Sequence, residues 1–152
     1  MASGNIIIFG KNKDDIRLND LTGATVKLAL LSSAYTPDAT VTGHSLLSDV
    51  SANELANGNG YTTGGVALAS LAVAALGTGF KFSSGNASWT ASGSGIPAWR
   101  YGLLYVSGAL WGMTNPLLGY FLGDSTPADV PLTTAGNPLT INVPANGWFN
   151  IS

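Results

Sequence analysis

The sequence predicts a mainly β protein: an antiparallel β-sandwich or barrel-like domain over residues 1–152, with one short N-terminal helix. Three observations lead there. Short apolar runs recur between clusters of Gly, Ser, Asn and Pro. The clearest of them, PLTINV, alternates Leu139, Ile141 and Val143 with Thr140 and Asn142, which is the period of a half-buried strand. Only one segment, KNKDDIRLNDL, mixes charges with Ile16, Leu18 and Leu21 in the manner of a surface helix, near residues 12–20, with Gly23 as its stop.

The elements follow in chain order. After the helix, ATVKLALLSS alternates Val26, Leu28 and Leu30 with Lys27 and Ala29, a strand with one buried side. From Tyr35 to Asn59 the chain turns polar, and its Thr-Pro-Asp, Thr-Gly-His and Asn-Gly signals describe an excursion. Within it, SDVSANEL has the pattern of a helical turn capped by Ser48 or Ser51. In NGNGYTTGGVAL a strand begins at Tyr61 and Gly64-Gly65 marks a bulge or bend. VALASLAVAAL is long enough for a helix, while Tyr61, Thr62 and Thr63 before it and GTGFKF after it suggest paired strands, so residues 66–76 stay open between the two. The runs ASWTA, AWRYGLLYV, PLLGYFLG, PLTINV and WFNIS complete the set.

Composition limits what such a domain does. Only 9% of the residues are charged, against about 25% in an average soluble domain. Small uncharged groups therefore cover much of the surface, and such faces pack against neighbours without desolvating ions. This favours an assembled protein. The net charge is −2, which supplies no electrostatic footprint for nucleic acid. Tyr101 to Gly123 is uncharged and long enough to span a membrane. However, Thr114, Asn115 and Pro116 form a turn signal at its middle and glycines weaken any helix, so two strands and a loop are expected. The apolar run Ile6 to Phe9 is too short for a signal peptide, so the sequons at Asn86 and Asn150 are read as incidental.

Catalytic and ligand-binding signals are weak. NGNGYTTGGVAL lacks the third glycine of a dinucleotide fingerprint, and no Lys or Arg stands between Lys27 and Lys81 to hold a phosphate. The single histidine, His44, lies near Ser45, Ser48 and Asp49, but residues bunched so closely do not readily place a histidine between the other two, and no G-x-S-x-G elbow is present. With no cysteine and one histidine, neither a thiol nucleophile nor a zinc site is expected, and the scattered carboxylates match no calcium loop. Asp14 and Asp15 read as a solvated face. The expectation is a protein with no catalytic residues, no metal and no cofactor. Trp89, Trp99, Trp111 and Trp148, with Tyr61, Tyr101, Tyr105 and Tyr120, supply either a core, a subunit interface or a sugar-stacking platform.

Taken together, VKLALLSSAYTPD, the spacing of His44, Asp49, Val50 and Glu54, the stretch GNGYTTGGVAL and a Trp-Thr strand followed by an aromatic strand resemble a family of small virion proteins of tailed bacteriophages. The likeness runs from about Asn12 to the C-terminus and is most specific from SAYTPD through GYTTGG. It implies a β-rich fold and a structural, non-catalytic role in the virion, assembled in the bacterial cytoplasm. Within that reading the expected function is a capsid decoration or cement protein bound to the major capsid protein. A minor tail or tail-tip component, or a glycan-binding adsorption module, is the alternative. The excursion from Pro37 to Asn59, with His44, Asp49 and Glu54, is the expected capsid contact. A closed homo-oligomer, a trimer, is expected through Trp99, Tyr101, Leu103, Tyr105 and Trp148, on the strands Trp99 to Val106 or Pro138 to Ser152.

Overall fold

A computed structural model describes residues 6–124, 126 and 128–151. The strands are β1 (Ile7–Ile8), β2 (Val26–Leu31), β3 (Val66–Ala67), β4 (Ala72–Leu76), β5 (Gly79–Ser83), β6 (Ala87–Thr90), β7 (Tyr101–Val106), β8 (Ala109–Leu110), β9 (Met113–Thr114), β10 (Leu117–Leu122), β11 (Pro138–Ile141) and β12 (Phe149–Ile151). One α-helix, α1 (Leu18–Thr22), is present among the described residues. Every strand pairing is antiparallel. A five-stranded sheet runs β1-β10-β7-β2-β3, and it is accompanied by a three-stranded sheet β12-β5-β4, a pair β11-β6 and the hairpin β8-β9. The arrangement is an open sandwich and not a closed barrel.

The main core lies between the five-stranded sheet and the smaller ones. Val26, Leu28, Leu30, Leu104, Val106, Leu118 and Phe121 meet Phe82, Phe149, Trp89, Leu139 and Ile141 there. Backbone spacing at the centre of this face is set by Gly102, where a methyl group would collide with the ring of Phe121. The indole N–H groups of Trp89 and Trp99 are buried with no acceptor among the described residues. Burying such a ring removes roughly 150–250 Å² from water. At ~25 cal/mol/Å² that gains about 4–6 kcal/mol, which exceeds the ~1–3 kcal/mol cost of an unmade bond.

The opposite face of the same sheet is also buried, contrary to the one-sided strand expected at β2. Ala29, Leu31, Leu103, Tyr105 and Leu117 form a second cluster with Phe9, Tyr35 and Val50. The cover is the polar excursion itself, which folds back across the sheet. A bulge in β10 offsets the alternation: the register shifts between Leu117 and Gly119, and Leu118 and Phe121, three residues apart, share the main core while Leu117 joins the second cluster.

The expected helix at residues 12–20 is shorter and later than its charge pattern suggests. Gly10–Asn12 form a 3₁₀ turn, Arg17 is extended (φ −113°, ψ 116°), and only Leu18–Thr22 are α-helical before Gly23. The reason is Asn12, which is buried. Its amide donates to the carbonyls of Ser45 (2.7 Å) and Leu117 (2.8 Å), and its Oδ1 accepts from Ser45 Oγ (2.7 Å). Pinning this side chain inside the fold prevents a continuous helix from starting there.

VALASLAVAAL does form two strands, separated at Ser70 with φ 54°, and they belong to different sheets. Tyr61, however, does not begin a strand. It makes a tight bridge to Gly58, and Gly64 and Gly65 form a turn (φ 93° and 74°) ahead of β3. A side chain at Gly65 would strike the Leu28 carbonyl, so glycine permits both the turn and the close approach of β3 to β2. The uncharged stretch from Tyr101 to Gly123 forms β7 and β10 around the β8-β9 hairpin, and no helix among the described residues is long and apolar enough to cross a membrane.

Candidate interaction surfaces

The excursion from Pro37 to Asn59 is fastened down along much of its length. Two 3₁₀ turns, Leu47–Asp49 and Ser51–Asn53, replace the expected serine-capped helical turn. Here the cap is Asp49, whose Oδ2 accepts from the backbone N–H of Ser45 and of Leu46, both at 2.9 Å. Those bonds hold its carboxyl below the usual carboxylate range. Asp38 is lowered in the same way, by the Thr40 hydroxyl (2.7 Å) and then by the Thr40 N–H (3.2 Å).

Glu54 sits at the root of the excursion. Its Oε1 accepts from Tyr61 Oη and from Gly64 N–H, each at 2.6 Å, while Tyr61 Oη accepts from Leu30 N–H at 3.0 Å. This chain ties excursion, turn and β2 together. Burial, then the bond to Glu54, pushes the Tyr61 phenol far above its ordinary value. His44 Nδ1 meets Tyr35 Oη at 3.0 Å, and the rings lie 5.6 Å apart. Thus His44, Asp49 and Glu54 all serve as internal fasteners, and of the three only Asp49 is exposed. The outermost apolar point of the excursion is Val41, 75% exposed and flanked by Thr40 and Thr42. Nothing in sequence order distinguishes it from the loop's other small residues. His44, Ser45 and Asp49 also face three different partners, namely Tyr35, Asn12 and backbone amides.

The residues expected between subunits are placed differently. Trp99, Leu103, Tyr105 and Trp148 are buried within the chain, and only Tyr101 is half-buried. They also divide between the two faces of the sheet. Leu103 and Tyr105 lie under the excursion, whereas Trp99, outside β7 and bridged to Val130, joins the main core. Tyr105 Oη donates to the Gly64 carbonyl at 2.6 Å, and burial pushes its phenol up to about 12. Trp148 stacks on Phe121, with centroids 6.1 Å apart, and donates to Ser84 Oγ at 2.7 Å. These side chains are occupied in the fold and are not free to meet a second copy. Ser152, the end of the second strand nominated for that interface and part of the Asn150 sequon, lies outside the described residues. A tryptophan platform for sugars is likewise not displayed: Trp89 is buried, and half-buried Trp111 donates to Asp20 Oδ2 at 2.9 Å.

The open apolar surface lies at the other sheet. Phe80 (56% exposed) and Ile151 (46%) are cross-strand neighbours on β5 and β12. With Ile16, Leu18 and Val73 they line a groove of about 290 Å³ whose polar rim includes Arg17 and Asn19. Among the described residues no group of three or more His, Cys, Asp or Glu side chains is placed to hold a metal. Comparison of the chain with protein-family models, curated proteins and solved structures yields no match.

Proposed function

We propose that the protein is a structural component of a tailed-bacteriophage virion, a decoration protein that stabilises the head by binding the major capsid protein between capsomers. The sequence resemblance motivates this reading, and one structural observation carries it further. The polar excursion is bonded to the sheet through Asn12 and, by way of Tyr61, through Glu54, and it presents Val41 between Thr40 and Thr42 with the Asp38 carboxylate, bonded to Thr40, as the charge beside it. A platform fastened in this way makes contacts with little ordering cost. Many copies on a shell then add weak contacts into a strong one. In this reading the contact is made by Thr40, Val41 and Thr42, with His44, Asp49 and Glu54 holding them in place.

The test is copy number in purified particles, followed by rebinding to particles stripped of the protein. Hundreds of copies per particle, with rebinding weakened by Val41→Asp, are expected. A few copies confined to the tail would replace the decoration role with that of a minor tail component.

A further inference from the structure

Strand β4 is an open edge. It is the terminal strand of the β12-β5-β4 sheet, pairs with β5 in unbroken register from Ala72↔Ser83 to Leu76↔Gly79, and makes no backbone hydrogen bond to any other element among the described residues. Natural sheets protect such edges with lysines, prolines or bulges. None is present here: no proline or register shift interrupts Ala72–Leu76, and no charged residue occurs between Glu54 and Lys81. Ala72, Ala74 and Ala75 are exposed. The other outer strands of the described sheets are shorter: β1, β3, β8, β9 and β12 have two or three residues, and β6 and β11 have four.

We infer that β4 is a self-association edge, on which a second copy of this chain pairs β4 to β4 in antiparallel fashion about a two-fold axis, extending the three-stranded sheet to six strands. The occupant follows from charge and shape. A charged strand set against its own copy brings like charges face to face, whereas AVAAL carries none, and its small side chains permit close approach. A register centred on Ala74 sets Ala75 beside Val73 of the partner subunit. This adds an apolar neighbour at the Ala75 end of the row formed by Ile151, Phe80 and Ala75, in which Phe80 and Ile151 are exposed. The contact is isologous and therefore makes pairs. It replaces the three-fold association expected through Trp99 to Val106, whose side chains the core occupies. The inference deepens the homo-oligomeric part of the proposed function, and its test is independent of particle binding.

The experiment is analytical ultracentrifugation of the full chain over a concentration series, with circular dichroism and thermal midpoints as folding controls. The wild type is expected to associate into pairs of 15.5 kDa chains. Ala74→Lys and Ala74→Asp each place two like charges across the two-fold, and each is expected to raise the dimer dissociation constant on the order of fivefold. A 1:1 mixture of the two is expected to restore association to the wild-type level or better. Lys81 stands across the β4–β5 pair from position 74, so the thermal midpoints are compared at dilutions where every variant is monomeric. Ala135→Lys, in the exposed turn ahead of β11, is expected to leave association unchanged. A monomeric wild type, a trimer indifferent to either Ala74 variant, or a mixture that fails to recover would each overturn the pairing. A monomer that still decorates particles would overturn it and leave the decoration role standing. A dimer that does not bind particles would do the reverse.

Discussion

The two faces of the five-stranded sheet are buried by different means. On one, strand meets strand, and Phe82, Phe149, Leu139 and Ile141 fill the space over β2, β7 and β10 with apolar groups. On the other, the cover is a loop rich in Ser, Thr, Asp and Asn, and the apolar contacts of Tyr35 and Val50 work alongside bonds from Asn12, Asp49 and Tyr61. The first face depends on volume, because a close-packed interior responds to every missing methylene. The second depends on satisfied polar groups, because each one left without a partner costs its desolvation in full. A polar composition is thus no guide to whether a loop is free.

The sharpest way to break this comparison is to delete residues 40–56. A free recognition loop would leave the scaffold intact. Removal of Val50 and of the bonds of Ser45 and Glu54 instead strips the cover from Leu31, Leu103 and Leu117 and takes Leu55 from the main core, and the shortened chain is expected to lose cooperative thermal unfolding. On the packed face, Phe82→Ala is expected to cost about 3–5 kcal/mol in chemical denaturation, through lost burial and the cavity left behind. On the loop-covered face, Asn12→Ala removes little volume but takes a donor from the Leu117 carbonyl and an acceptor from the Ser45 hydroxyl, while the Ser45 carbonyl keeps the Leu117 N–H. Its expected cost, about 1–3 kcal/mol, separates the two modes of burial.

The smallest effect is a pH dependence confined to the phenols beneath the excursion and at its root. Tyr35, Tyr61 and Tyr105 are all raised in the fold above the ordinary value of 10.0, with burial as the main cause. For groups raised on folding, the stabilisation is fully present below the unfolded pKa and is lost as pH rises through the folded one. Stability is therefore expected to be level in the phenols' contribution up to about pH 10 and to fall beyond it. Tyr105→Phe should shallow that fall in a series of thermal midpoints between pH 8 and 12. An unchanged slope would show that the Tyr105 phenol does not contribute.

Period-two patterning, glycine punctuation and the scarcity of long amphipathic runs determined the β class, the two-strand reading of Tyr101 to Gly123 and the stop at Gly23, whereas residues 66–76 stayed open between strand and helix. These are local signals, and a strand half-buried by any partner shows them. What the sequence left undecided were pairings distant in the chain. The burial of Asn12, the bridge of Trp99 to Val130 and the second covered face of β2 each depend on a segment tens of residues away. His44, Asp49 and Glu54 stood out because titratable groups are rare here, but rarity does not tell a contact from a fastener. Only tertiary structure decides that, because whether a carboxylate faces solvent or a backbone amide depends on which strand the loop returns to. The open edge of β4 is the same kind of fact. Its lack of charge is written in the sequence, while its position at the margin of a sheet arises only when β5 pairs on one side of it and nothing among the described residues pairs on the other.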